Sequence, residues 1–172
     1  MTVTEFLDWP TPDGGNRWEL VDGVPVAIAP ASGRHALIHT EASRLIGNHL
    51  AERRPDCRAL IEPGVRPDDR NLRIPDLVVD CGEAAERPPV LIVEILSPSN
   101  WRRNRDNVIR YTTMQGVAEV LVLHQDRVMA EVMRRGPGGA WDEHLLLIDG
   151  DVLKLTSIGL TAPLAAFYRT AS

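Results

Sequence analysis

The sequence predicts one mixed α/β domain with two main helices around a buried central strand. Three observations predict it. Val90 to Leu96 reads VLIVEIL, almost continuously apolar, as a strand buried on both faces does. Two segments, His35 to Arg53 and Arg102 to Gln115, read as helices. Several strand-like runs lie between and after them, which argues against regular alternation of strand and helix. The 172 residues are enough for one domain with a real core, since folding hides roughly 70% of the unfolded surface at that size.

The elements follow in order. Thr11-Pro12-Asp13-Gly14-Gly15 is a turn cluster. Arg17 to Asp22 and Val24 to Ala29 form a hairpin around Asp22-Gly23. In the first helix Leu37, Ile38, Ala42, Leu45, Ile46 and Leu50 fall on one face. Ser32 is its candidate cap and Pro55 its stop. Cys57 to Val65 and Leu72 to Val79 read as strands joined by Asp68-Asp69-Arg70-Asn71. The central strand ends at Ser97-Pro98-Ser99, and the second helix has Gly116 after it. Val117 to Leu123, Val128 to Arg134, Glu143 to Ile148 and Val152 to Leu155 read as strands, and Ala162 to Tyr168 as a short final helix. Trp9, Trp18 and Trp141 read as packing residues.

Composition bounds the function. Hydrophobic residues are 44% and charged residues 25%, a globular balance. A net charge of −5 excludes a broad basic coat, so any nucleic-acid contact must come from a local patch. Cys57 and Cys81 lack metal-site spacing and are expected to be two reduced, buried thiols, with a bridge or a reactive thiol as alternatives. The N-terminus has no signal-peptide pattern, and no run reaches the ~18 apolar residues of a membrane span. A soluble, cytoplasmic protein is expected.

Asp76 and Glu94 are the most informative pair. Asp76 sits in Ile74-Pro75-Asp76-Leu77-Val78-Val79, and Glu94 interrupts VLIVEIL. A carboxylate in a buried strand costs several kcal/mol unless paired, neutralised or bound to metal. On neighbouring strands the two can converge on one cation, and Mg²⁺ or Mn²⁺ prefers such oxygen ligands. The competing reading is that each caps a strand end or pairs with an arginine.

A series of short motifs extends this. Trp18-Glu19-Leu20-Val21-Asp22-Gly23 is followed by His35 opening a helix and by Pro75-Asp76-Leu77-Val78-Val79. Val93-Glu94-Ile95-Leu96-Ser97-Pro98-Ser99 comes next, then a helix carrying Tyr111, then Gly116-Val117. From about Glu5 to Val122, and weakly to Tyr168, the ordered set resembles the Uma-two restriction-endonuclease family of the PD-(D/E)XK superfamily. The resemblance implies a restriction-endonuclease-like mixed sheet flanked by helices, with a nuclease core at about 17–124 and extra C-terminal strands at about 125–172. It implies a Mg²⁺- or Mn²⁺-dependent endonuclease hydrolysing DNA phosphodiester bonds. Asp76 and Glu94 would hold the ion with the Ile95 carbonyl, and Glu19 would be the acidic residue of the first hairpin. One site per chain would suit a homodimer for cutting two strands.

The sequence departs from that pattern at the cation. The superfamily lysine belongs two residues after Glu94, where Leu96 stands. The family's alternative place, four before the tyrosine, is Asn107. The chain's one lysine is Lys154, far downstream. Arg103 and Arg110 share the helical face of Asn107 and are candidates for the positive charge at phosphate. Neither would serve as a base, because arginine stays protonated. This departure supports a second reading, a catalytically impaired relative that binds nucleic acid or protein. His35, Glu62 and Asn107 are possible site-lining residues, and His35 with His39 has the spacing of a zinc pair, with Glu41 near but no further ligand cluster.

Overall fold

The computed structural model describes residues 1–12, 17–82, 89–98 and 101–171, with backbone alone for 101–104. The turn cluster at 13–15, Ser99 and the side chains of Trp101, Arg102 and Arg103 lie outside the described residues.

A short helix, α1 (Val3–Leu7), opens the chain, closed at its start by a reciprocal Thr2–Glu5 capping box. Strands β1 (Arg17–Val21) and β2 (Val24–Ile28) form the expected hairpin. Asp22 and Gly23 both take positive φ, +51° and +83°, the geometry that an Asp-Gly two-residue turn requires. Val3, Phe6 and Leu20 make a small core there, with Trp9 and Trp18 edge to face.

Helix α2 (Gly33–Arg53) is capped by Ser32, whose Oγ accepts from the His35 amide. Its buried stripe is Ile38, Ala42, Ile46 and Leu50. The two long strands expected next are each broken. The first becomes β3 (Cys57–Ile61) and β4 (Val65–Asp68), and the second β5 (Asn71–Arg73) and β6 (Leu77–Cys81). Asp76 therefore lies in the break before β6, not within a strand. Pro75 supplies no N–H for a ladder there.

Strand β7 (Leu91–Leu96) is buried at all six positions. Helix α3 (Trp101–Thr113) crosses to β8 (Glu119–His124), which runs parallel to β7. A parallel neighbour needs such a crossover. Strands β9 (Met129–Arg135) and β10 (Trp141–Ile148) complete a six-stranded sheet, ordered β10-β9-β8-β7-β6-β3, whose other pairs are antiparallel. A second, four-stranded sheet is ordered β2-β1-β5-β4. Strands β11 (Val152–Leu155) and β12 (Leu160–Pro163) pair with each other, and the final helix is a 3₁₀ turn, Leu164–Tyr168. This is a mixed-sheet fold flanked by helices, with extra C-terminal strands.

The six-stranded sheet separates two cores. Leu77, Val79, Leu91, Val93 and Ile95 face α2 and the C-terminal strands. Val78, Ile92 and Leu96 face α3, packing with Val108 and Tyr111. The cysteines depart from expectation: Cys57 and Cys81 are opposite each other in the β3–β6 register and form a disulfide.

Candidate active site

Asp76 is fixed by three elements. Its backbone carbonyl accepts from the Glu62 amide, 3.0 Å, just after β3. One carboxylate oxygen, Oδ1, lies 2.9 Å from His35 Nε2, in the first turn of α2. The other, Oδ2, accepts from the Ile95 amide at 2.6 Å. The β6–β7 register, Leu77 opposite Val93, brings Asp76 alongside Glu94 at the next step. The side chain remains 13% exposed.

Glu94 alternates with Ile92 and Leu96 toward α3 and is buried. Tyr111 donates its hydroxyl to Glu94 Oε1 at 2.6 Å. Burial, reinforced by the Glu94 charge, holds the Tyr111 pKa well above the ordinary tyrosine value, so the phenol stays a donor.

Glu19 projects from β1, 3% exposed. Its Oε1 accepts from the Ile74 amide at 2.8 Å, and Oε2 lies 4.0 Å from Arg73 Nη1. The hairpin acid is thereby tied to the two residues that lead into Pro75-Asp76. Arg73 is 1% exposed. It donates from Nη2 to Asn71 Oδ1 at 3.0 Å, while Nε and Nη1 are buried without a hydrogen-bond acceptor. Burial lowers its pKa and the Glu19 charge opposes that shift. Arginine nonetheless remains charged.

Asn107 lies one helical turn before Tyr111 on α3 and is 5% exposed. Its Oδ1 is buried with no hydrogen-bond donor. Leu96 packs in the core under α3 and lines, with Val108, Ile109, Val122 and Met133, an apolar groove of about 260 Å³.

The other nominated residues lie as follows. Arg110 donates to both Asp22 carboxylate oxygens, at 2.5 and 2.7 Å, and lies 3.7 Å from Asp68. Its charge thus pairs α3 with the hairpin turn. Glu62 has a φ of +50° and pairs with Arg17 at 2.6 Å at the surface. Arg103 is outside the described side chains. His39 stacks edge to face with His35. Among the described residues, the one trio of candidate metal-ligand atoms within 4.8 Å is Asp56, Cys57 and Cys81, whose sulfurs are joined in the disulfide. The zinc spacing of His35 and His39 therefore meets no third ligand.

Arg73 has one signal in the sequence, its position three residues before Asp76.

The family described as "Uma2: Putative restriction endonuclease" matches residues 3–165. Among solved structures, the chain is similar to the crystal structure of a "putative nuclease belonging to DUF820" from Anabaena variabilis. That likeness has a TM-score of 0.82 and 19% identity, covering 100% of this chain and 99% of the other. No curated protein matches the chain.

Proposed function

We propose a function from one plain premise, that the chain belongs to the Uma2 family. The reading is a metal-dependent endonuclease that hydrolyses DNA phosphodiester bonds at Asp76 and Glu94. The observation that carries it is the Ile95 amide donating to Asp76 Oδ2, which locks one carboxylate against the strand that buries the other.

The donor set fits Mg²⁺ or Mn²⁺. It is made of hard oxygens, and the unbonded Asn107 Oδ1 adds another buried oxygen on the α3 side. Such ions commonly take one or two carboxylates and complete their shell with water and phosphate. Asp76, Glu94 and the Ile95 carbonyl would hold the ion. When bound, it would acidify a water and offset charge on the phosphate. In the reaction, water adds to phosphorus and one P–O ester bond breaks, giving a phosphate monoester and a free hydroxyl.

The chain's own residues prepare that step. His35 and the Ile95 amide orient Asp76, and Tyr111 holds Glu94. Glu19 anchors the hairpin over the same site through Ile74. DNA as the substrate, the cytoplasm as the compartment and a homodimer as the working unit are parts of this proposal.

A second reading is supported by the engagement of Arg110 with Asp22 and by apolar Leu96 at the expected lysine position. In it the fold binds nucleic acid or protein without cleaving. Calorimetric titration of Mn²⁺ into wild type and Asp76→Ala separates the two. Binding by wild type that is lost in Asp76→Ala supports the metal site. Absence of binding in both favours the binding module. With a cleaved DNA in hand, Glu94→Ala is expected to abolish Mn²⁺-dependent cutting, and cutting that survives would remove Glu94 from the site.

A further inference from the structure

We propose that Arg73 is the cation that binds the substrate phosphate at this site. The proposal rests on the reading of Asp76 and Glu94 as a phosphodiester site, and it names the group that recognises the phosphate.

Arg73 is chemically anomalous where it stands. A guanidinium has five N–H donors and no acceptor. Here it is 1% exposed and, among the described residues, makes a hydrogen bond only through Nη2, to Asn71. Nε and Nη1 are buried and unbonded. Glu19 Oε2, at 4.0 Å, is near enough to offset charge and too far to accept a hydrogen bond. A desolvated cation with unused donors is costly unless something completes it.

The missing partner must be an acceptor, and an anionic oxygen is the strongest one available. The surroundings locate it. Arg73 is three residues before Asp76 and beside Glu19, which also holds the Ile74 amide. A phosphate oxygen is the anion that a site built from these carboxylates and a divalent ion would admit. In a water-poor setting a fixed guanidinium acts on such charge far more strongly than an exposed one. Arg110 does not compete for the role, since it is bound to Asp22. Because Arg73 is covered in the free protein, phosphate binding must also uncover it.

The test titrates inorganic phosphate and, separately, Mn²⁺ into wild type, Arg73→Met and Arg73→Lys. Arg73→Met is expected to weaken phosphate binding at least tenfold while Mn²⁺ binding stays equal or tightens, because a charge that repels the ion has gone. Arg73→Lys should recover part of the phosphate affinity. Wild-type phosphate affinity in Arg73→Met overturns the proposal, as does wild type that binds no phosphate. Equal loss of phosphate and Mn²⁺ binding also overturns it, since that marks a structural role. Should Arg73→Met fail to fold, the Arg73 Nε–H resonance of wild type is followed during phosphate titration, and an unmoved resonance overturns the proposal. Phosphate binding that depends on Arg73 in a protein that ignores Mn²⁺ would leave Arg73 standing and remove the metal reading.

Discussion

Asn107 buries a carbonyl oxygen that nothing in the described structure satisfies. Such a group costs about 1–3 kcal/mol relative to an apolar replacement that needs no partner. Asn107→Leu is therefore expected to raise stability by about 1 kcal/mol in chemical denaturation, while weakening Mn²⁺ binding if the oxygen serves the ion. Gained stability with unchanged Mn²⁺ affinity would remove Asn107 from the site. The candidate acids were legible in sequence for a related reason. Carboxylates within apolar runs are expensive, which singles out Asp76 and Glu94. Arg73 did not stand out, because it falls near the start of the expected strand Leu72 to Val79, beside the turn Asp68-Asp69-Arg70-Asn71. Its burial is decided by the hairpin that brings Glu19 beside it. Arg110 was legible only in part. Its helical face was readable, but its partner Asp22 is 88 residues away in sequence.

At the scale of elements, the sequence located the hairpin, both main helices and the central strand. It ran β3 into β4 and joined β5 to β6. The runs are apolar enough to continue, and the breaks come from Pro75 and from Glu62 at positive φ. Those breaks matter, since the first of them lifts Asp76 out of a ladder and leaves its carboxylate available to His35 and Ile95. The disulfide was also not fixed by spacing. It depends on register, which places Cys57 opposite Cys81. The bridge closes a loop with a sequence separation of 24, for which restricting the unfolded chain contributes about 3–4 kcal/mol. Reduction, or Cys57→Ala with Cys81→Ala, is expected to lower the denaturation midpoint accordingly. An unchanged midpoint under reducing conditions would mean that the strand pair holds without it. Intracellular thiol buffers oppose such bridges, so the same comparison gives the stability that the chain keeps when the thiols are reduced.

For the molecule as a whole, the strands after residue 124 share a sheet and an apolar core with those before it. Strand β8 is buried at all six positions, and β9 pairs along its far edge. Ala130 and Val132 belong to the same apolar cluster as Leu91, Val93 and Ile95. Leu153, Leu155, Ile158, Leu160, Leu164 and Phe167 close that cluster on the α2 side. A polar bolt reinforces the join. Glu119, fully buried, accepts from Arg134 Nε at 2.8 Å, from the Ser157 amide at 3.0 Å and from Ser157 Oγ at 2.7 Å. Removing everything after residue 124 would strip β8 of a neighbour and leave Glu119 charged without those donors. It would also expose the α2-side core to water, a loss of about 25 cal/mol for each Å² of apolar surface uncovered. A chain ending at residue 124 is therefore expected to show no cooperative thermal unfolding transition and to bind no Mn²⁺, even though Asp76, Glu94, Tyr111 and Arg73 are all present in it. A cooperative transition in that fragment would mean that the chain up to residue 124 folds without the strands that follow it. It would also mean that β7 and α3 hold the carboxylate site without the strands that here bury their surroundings.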